Sequence, residues 1–166
     1  MISKSIPAIQ EKWPGVPEER RREIWIQHDN AKPHIAPNDP DFVAAAALNG
    51  FNIRLRFQPP NSPDLNVLDL RFFRAIQSLQ YQKDARTIDE LIQNVEDAFD
   101  EMKHETLNKV FLSLQAKMIE TLKVGCSNKY KLAHMGKDRL ARAGELPVTL
   151  TVADDVISMG LQALNA

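Results

Sequence analysis

Apolar and polar positions along the chain change their period several times, and each change marks an element. "SIPAIQEKW" carries apolar residues at helical spacing and runs into Pro14 and Gly15, so a short helix is expected there. "PEERRRE" is polar and leads into "IWIQH", a short β-rich run that reads as a strand. "PNDPDFVAAAALNG" reads as a helix, with Asp39 as N-cap, Pro40 at the first helical position and Gly50 at the C-terminal stop. "NIRLRFQ" alternates Ile53, Leu55 and Phe57 with Asn52, Arg54 and Arg56, the period of a strand with one covered face. "PPNSP" then breaks the chain.

Beyond Asp64 the period lengthens. Leu65, Leu68, Phe72, Ile76 and Leu79 fall on one face of a helix. "TIDE", Thr87 to Glu90, fits a capping box and opens a helix whose face is Leu91, Val95, Ala98, Phe99 and Met102. A further helix carries Leu107, Val110, Phe111, Leu114, Met118 and Leu122 and ends near Gly125. The remainder is less regular, and "ADDVISMGLQALNA" predicts a terminal helix. The order is strand, helix, strand, helix and two more helices, an α/β pattern with a C-terminal helical extension. Two strands alone make a marginal sheet in water. The pattern is therefore expected to be the latter part of a sheet whose first strands are not in this sequence.

Composition narrows the class. The 166 residues suit one domain of ordinary size, and 43% hydrophobic with 26% charged residues is normal for a globular chain. Cys126 is the only cysteine, which excludes a disulfide framework and suits a reducing compartment. "MISKSIPAIQEKWPG" has no apolar core of a signal peptide, and no run approaches the length of a membrane span, so no membrane partner is expected. The net charge of −1 hides a polar asymmetry. Residues 84–105 hold eight acidic groups against Arg86 and Lys103. Residues 123–144 hold Lys123, Lys129, Lys131, Lys137, Arg139 and Arg142 against Asp138. That basic stretch is either a solvated face or a surface for phosphate.

Two aspartates stand out. Asp69 lies four positions after Leu65, three before Phe72 and seven before Ile76, spacings that put it on the apolar face of its helix. A carboxylate there is paired, binds a metal, or sits close enough to the helix start for the macrodipole and solvent to hold it. Asp29 falls at the C-terminal end of a strand, where α/β sheets place ligands. Asp-Asn before Ala-Lys-Pro is also ordinary turn chemistry. The 39 residues between the two aspartates accommodate one helix and one strand, a crossover that returns the chain beside its start. Paired carboxylates at a sheet edge repel unless a cation lies between them, and oxygen ligands suit Mg²⁺ or Mn²⁺.

"HDNAKPH" followed by "QPPNSPDLNVLDLRFF" closely resembles the catalytic core of mariner-like DNA transposases, of the class with three catalytic aspartates. "AIQEKWP", "FLSLQAKMIE" and "NKYKLAHMGKDRLARAGELP" resemble the C-terminal half of plant-type or oomycete-type members, so the likeness covers nearly the whole chain. The resemblance implies a partial ribonuclease-H-like fold and cut-and-paste DNA transposition in the nucleus. It gives Asp29 the role of the second catalytic carboxylate and Asp69 that of the third, both as ligands of a Mg²⁺ or Mn²⁺ pair that drives phosphoryl transfer. Asp64 is the rival for the third role but reads as the helix N-cap. Asn30, Lys32 and His34 are candidates to support the metal site or face DNA, with a turn histidine and a solvated lysine as the plainer readings; His28 is expected to point away from Asp29. Lys129, Lys131, Lys137, Arg139 and Arg142 are candidates for DNA contact.

On this reading residues 1–23 are a lead-in remnant, 24–82 a partial catalytic core, 83–125 the helical extension and 126–166 a basic tail. The family's first carboxylate has no counterpart: Glu11, Glu18, Glu19 and Glu23 all lie outside strand-like runs. A transposase fragment inactive by itself is therefore expected, with self-association or pairing with a full-length transposase as further partners. The alternative is a host-retained module that grips DNA or a protein.

Overall fold

The computed structural model describes residues 2–13, 23–29, 31, 35–127, 129–131 and 134–165. The fold is mixed α/β, mostly helical, with a two-stranded parallel sheet. It divides into two compact units, Met1–Pro60 and Asn61–Ala166.

The first unit is built on alternation. Strand β1 spans Glu23–His28 and β2 spans Asn52–Phe57, paired in parallel with Ile24 opposite Ile53 and Ile26 opposite Leu55. The strand begins one residue earlier than the apolar run suggests. Glu23 is its first residue, held by an ion pair to Arg54 at 3.2 Å across the ladder. Helix α1, Ser5–Lys12, and helix α2, Pro40–Ala46, supply the rest of the core. Ile6, Phe42, Ala46, Phe51, Ile53 and Leu55 are buried together, with Ile24 and Ile26 packed against them. The opposite face shows Trp25, with the guanidinium groups of Arg54 and Arg56 5.9 and 5.8 Å from its ring centre. Phe57, expected to be covered, is 45% exposed, because it stands at the strand end, where the ring of His28 meets its own edge-on.

Asp39 caps α2 as expected, accepting a hydrogen bond from the Phe42 amide at 2.9 Å, and Pro40 begins the helix. The stop comes earlier than Gly50. The α-helix ends at Ala46, and a 3-10 turn, Leu48–Gly50, follows with Asn49 at φ 57° and Gly50 at φ 77°. Two consecutive left-handed residues reverse the chain into β2, a conformation glycine takes without a Cβ penalty.

The second unit is helical. A 3-10 turn, Pro63–Leu65, leads into a π-helical turn, Leu68–Phe72, which continues as helix α3, Phe73–Gln80. Helix α4 spans Ile88–Asp100 and carries the expected capping box: Thr87 Oγ1 accepts from the Glu90 amide at 3.1 Å, and the Glu90 carboxylate accepts from the Thr87 amide at 3.2 Å. Lys83, in the connection between α3 and α4, pairs with Asp97 and Glu101 at 3.2 and 2.8 Å, and Phe72 meets Phe99 edge-on.

Helix α5, His104–Lys123, is the long element of this unit. Its buried residues are Val110, Leu112 and Ser113, whereas the expected Phe111 and Met118 stay partly exposed. The single-stripe expectation fails because α5 is packed from more than one side: the 3-10 and π turns, the terminal helix and the 147–150 segment all lie on it. Asn108 donates to the Pro147 carbonyl at 2.9 Å, and Gln115 accepts from the Leu150 amide at 2.8 Å. Helix α6, Lys137–Arg142, is too short to show a period in the sequence. The expected terminal helix is α7, Asp154–Leu164. It approaches α5 at Gly160, where an added Cβ would sit 2.5 Å from a methyl carbon of Leu122.

Among the described residues no helix is long and apolar enough to cross a membrane. Replacement of Thr87 by alanine removes one half of the capping box and should destabilise α4 by about 1 kcal/mol. Hydrogen exchange at the Glu90 amide is the check. It should accelerate in Thr87→Ala and stay near wild type in Thr87→Ser.

Candidate functional site

Asp29 follows directly on β1, in the first unit, and is exposed. Its Oδ1 accepts a hydrogen bond from the Ala31 amide at 3.0 Å, the local bond of an Asx turn. His28 points the other way, as alternation requires. It is buried, its ring lies 4.5 Å from that of Phe57 at a steep angle, and its Nδ1–H donates to the Asp29 carbonyl at 2.7 Å. That bond fixes the backbone at the strand end. The ladder closes there as well, with the Gln58 amide on the His28 carbonyl at 2.9 Å. Asn30, Lys32 and His34 lie outside the described residues.

Asp69 lies in the second unit, near a helix start that solvent reaches, one of the settings its sequence leaves open. It is exposed and stands off the apolar face. α-Helical spacing would put it on that face, but Leu68–Phe72 is a π turn, closed by the Phe73 amide on the Leu68 carbonyl. The wider i to i+5 turn breaks the α phase between Leu65 and Phe72, so Asp69 leaves the line that Phe72, Ile76 and Leu79 still follow. π turns of this kind are frequent at functional sites. Asn66 holds the aspartate: its Nδ2 donates to Asp69 Oδ2 at 2.8 Å, while its Oδ1 accepts from the Leu68 amide at 3.0 Å.

Asn66, not Asp64, therefore caps this helix. The reason is that Pro63, Asp64 and Leu65 form a 3-10 turn of their own, so the longer helix starts after Asn66. The Asp64 side chain is turned to other work. Its Oδ2 accepts from the Lys117 ammonium of α5 at 2.9 Å and from the Tyr130 hydroxyl in a very short bond. Lys117 also lies 5.5 Å from the centre of the Tyr130 ring. The hydrogen bond from Tyr130, then that from Lys117, hold the Asp64 carboxyl below its ordinary value despite partial burial. Burial first, and the neighbouring Asp64 second, push the Tyr130 phenol up. Sequence reasoning missed this group. Lys117 and Tyr130 are 53 and 66 residues from Asp64, and no local pattern links them.

The basic tail is partly committed to structure. Lys137 donates to the Lys109 carbonyl at 2.9 Å and to the Ser113 hydroxyl in a very short bond. Lys129, Lys131, Arg139 and Arg142 are exposed. Among the described residues no three His, Cys, Asp or Glu side chains gather as a metal site. Asp29 and Asp69 are exposed residues, and carboxylates are donors of the kind that hard divalent cations take.

Compared with family models, with curated proteins and with solved structures, the chain matches none.

The Asp64 group predicts an acid-sensitive second unit. A carboxyl whose pKa is lowered by folding contributes stability that is whole above its unfolded value and is lost as pH falls through the folded one. Asp64→Asn should therefore be less stable than wild type at neutral pH, and the gap should close below about pH 4. Urea unfolding of both chains across that range, followed by helical circular dichroism, measures it. A gap independent of pH would contradict the assignment.

Proposed function

We propose that the chain is part of the catalytic domain of a mariner-like DNA transposase, with a ribonuclease-H-like arrangement around its two strands. Asp29 and Asp69 are the second and third carboxylates of that reading and act as ligands of Mg²⁺ or Mn²⁺. The observation that carries it is the pairing of two motifs, each in a setting suited to a ligand. "HDNAKPH" puts Asp29 immediately after a parallel strand. "SPDLNVLDLRFF" puts Asp69 on an exposed π turn, oriented by Asn66. Asp64 is the weaker candidate for the third carboxylate, because Lys117 and Tyr130 already occupy its side chain.

In such a mechanism Asp29 and Asp69 would hold the cations, which would supply Lewis-acid polarisation of the phosphate and activation of water or a 3′-hydroxyl. The contribution of this chain is to hold carboxylates where they bind cations. Asp29 does so from a strand end pinned by the His28–Asp29 bond, and Asp69 from a helix start pinned by Asn66. Two carboxylates neutralise two divalent cations poorly, so this 166-residue chain by itself is proposed not to cut or join DNA.

A second reading is a DNA-binding module. It is favoured by the exposure of Lys129, Lys131, Arg139 and Arg142 along one stretch. Neutralising Lys129, Lys131 and Arg139 together should then weaken binding to any duplex and flatten its salt dependence by about three phosphate contacts.

Iron-directed cleavage tests the first reading. Fe²⁺ with ascorbate and peroxide cuts backbone beside its ligands. Cuts near both Asp29 and Asp69, absent from both places in either Asp→Ala variant, are the expected result. Cuts at neither place would refute it. The same chain with supercoiled plasmid and Mn²⁺ should give no nicking above that of the double Asp→Ala variant.

A further inference from the structure

The second unit contains a cavity of about 150 Å³ that neither reading above uses. Its polar lining is Arg71, Lys109, Ser113, His134, Lys137 and Asp138. These come from three places: the π turn, α5, and the segment entering α6 with its first residues. The positive groups outnumber the carboxylates that meet them. Lys109 is paired twice, with Glu105 at 2.6 Å and Asp138 at 2.8 Å. Arg71, by contrast, makes no ion pair among the described residues. Lys137 spends two of its protons on the Lys109 carbonyl and the Ser113 hydroxyl, and Ser113 passes its own proton to the Lys109 carbonyl at 2.9 Å. An ammonium carries three donors, so one remains.

The neighbouring charges register on Lys137. Burial is the first cause that pushes its pKa down, and the Arg71 charge is the second. Like charges drawn together in a partly enclosed space call for an anion between them. His134 adds a donor. Its Nδ1 accepts from the Gly136 amide at 3.1 Å, which leaves the ring proton on Nε2. The space is a few water molecules' worth, fit for one tetrahedral oxyanion and too small for a nucleoside around it.

We propose that this cavity binds a single phosphate group, held by Arg71 and Lys137 with His134 beside them. The Arg71 fork supplies paired donors of the geometry that phosphate oxygens accept, and Lys137 supplies a point charge. The phosphate is either a free one or one in the backbone of a nucleic acid. The proposal does not depend on Asp29 or Asp69 binding a cation.

The probe is inorganic phosphate, titrated into the isotope-labelled full chain at constant ionic strength and followed by the amide signals of Ser113 and Gly136. Saturable shifts in the millimolar range or tighter are expected. Arg71→Gln, at an exposed position, should weaken binding about tenfold while thermal unfolding stays at the wild-type value. Lys137→Met should weaken it at least as much. A short DNA duplex that moves the same signals and is displaced by phosphate assigns the group to nucleic acid. A duplex that leaves them unmoved assigns it to free phosphate. Shifts no larger than those given by chloride, or an Arg71→Gln chain that binds phosphate like wild type, would overturn the site.

Discussion

The half-buried carboxylate of Asp64 governs how the second unit is assembled. It is met by an ammonium from the middle of the long helix and by a phenol from the segment beyond it. Three stretches that are distant in sequence thus close on one carboxylate oxygen. The arrangement is demanding, since Lys117 is more buried than its partner and would be left as an uncompensated charge without it. Because the 3-10 turn is fixed in this way, Asn66 falls where it can cap the next helix. The π turn that follows then presents Asp69 to solvent and Arg71 to the cavity beside α5.

Much of the local architecture was readable from residue patterns. Both strands, the caps by Asp39 and Thr87, and the long helices follow from period and capping chemistry, which act over a few residues. The parallel pairing follows from a crossover of suitable length. What escaped has a common physical cause. Which face of α5 is buried depends on what packs against it from later in the chain, and the short α6 has too few turns to display a face. The partners of Asp64 are set by tertiary packing alone. Which face Asp69 takes escaped for a different reason: α-helical spacing takes 3.6 residues per turn, the helix departs from that at Leu68–Phe72, and the solvent-reached helix start is the setting found.

The candidate residues divide accordingly. The place of Asp29 at a strand end was legible because strand ends are marked by a change of pattern. The basic stretch was legible only as charge. Lys137 sits among the other cations in sequence but is bound up inside the unit, whereas Lys129, Lys131, Arg139 and Arg142 remain at the surface. A count of charges does not distinguish a cation drawn into a cavity from one that stays at the surface. Arg71 and Lys109 show the converse, since each stands in a stretch that reads as helix and nothing local marks it as part of a cavity.

The widened turn at Leu68–Phe72 lies between two anchored ends. Upstream, the Pro63–Leu65 turn is tethered to Lys117; downstream, Phe72 rests on Phe99. One residue more or fewer in an α-helix rotates everything beyond it by about 100° around the axis. The extra residue in this loop of backbone thus serves as a phase adjuster, letting two independently docked ends share one continuous helix. Shortening the stretch by a single residue would restore regular winding at the expense of one mooring or the other. The length of "NVLDLRFF" is accordingly constrained more tightly than the identity of its solvent-facing side chains.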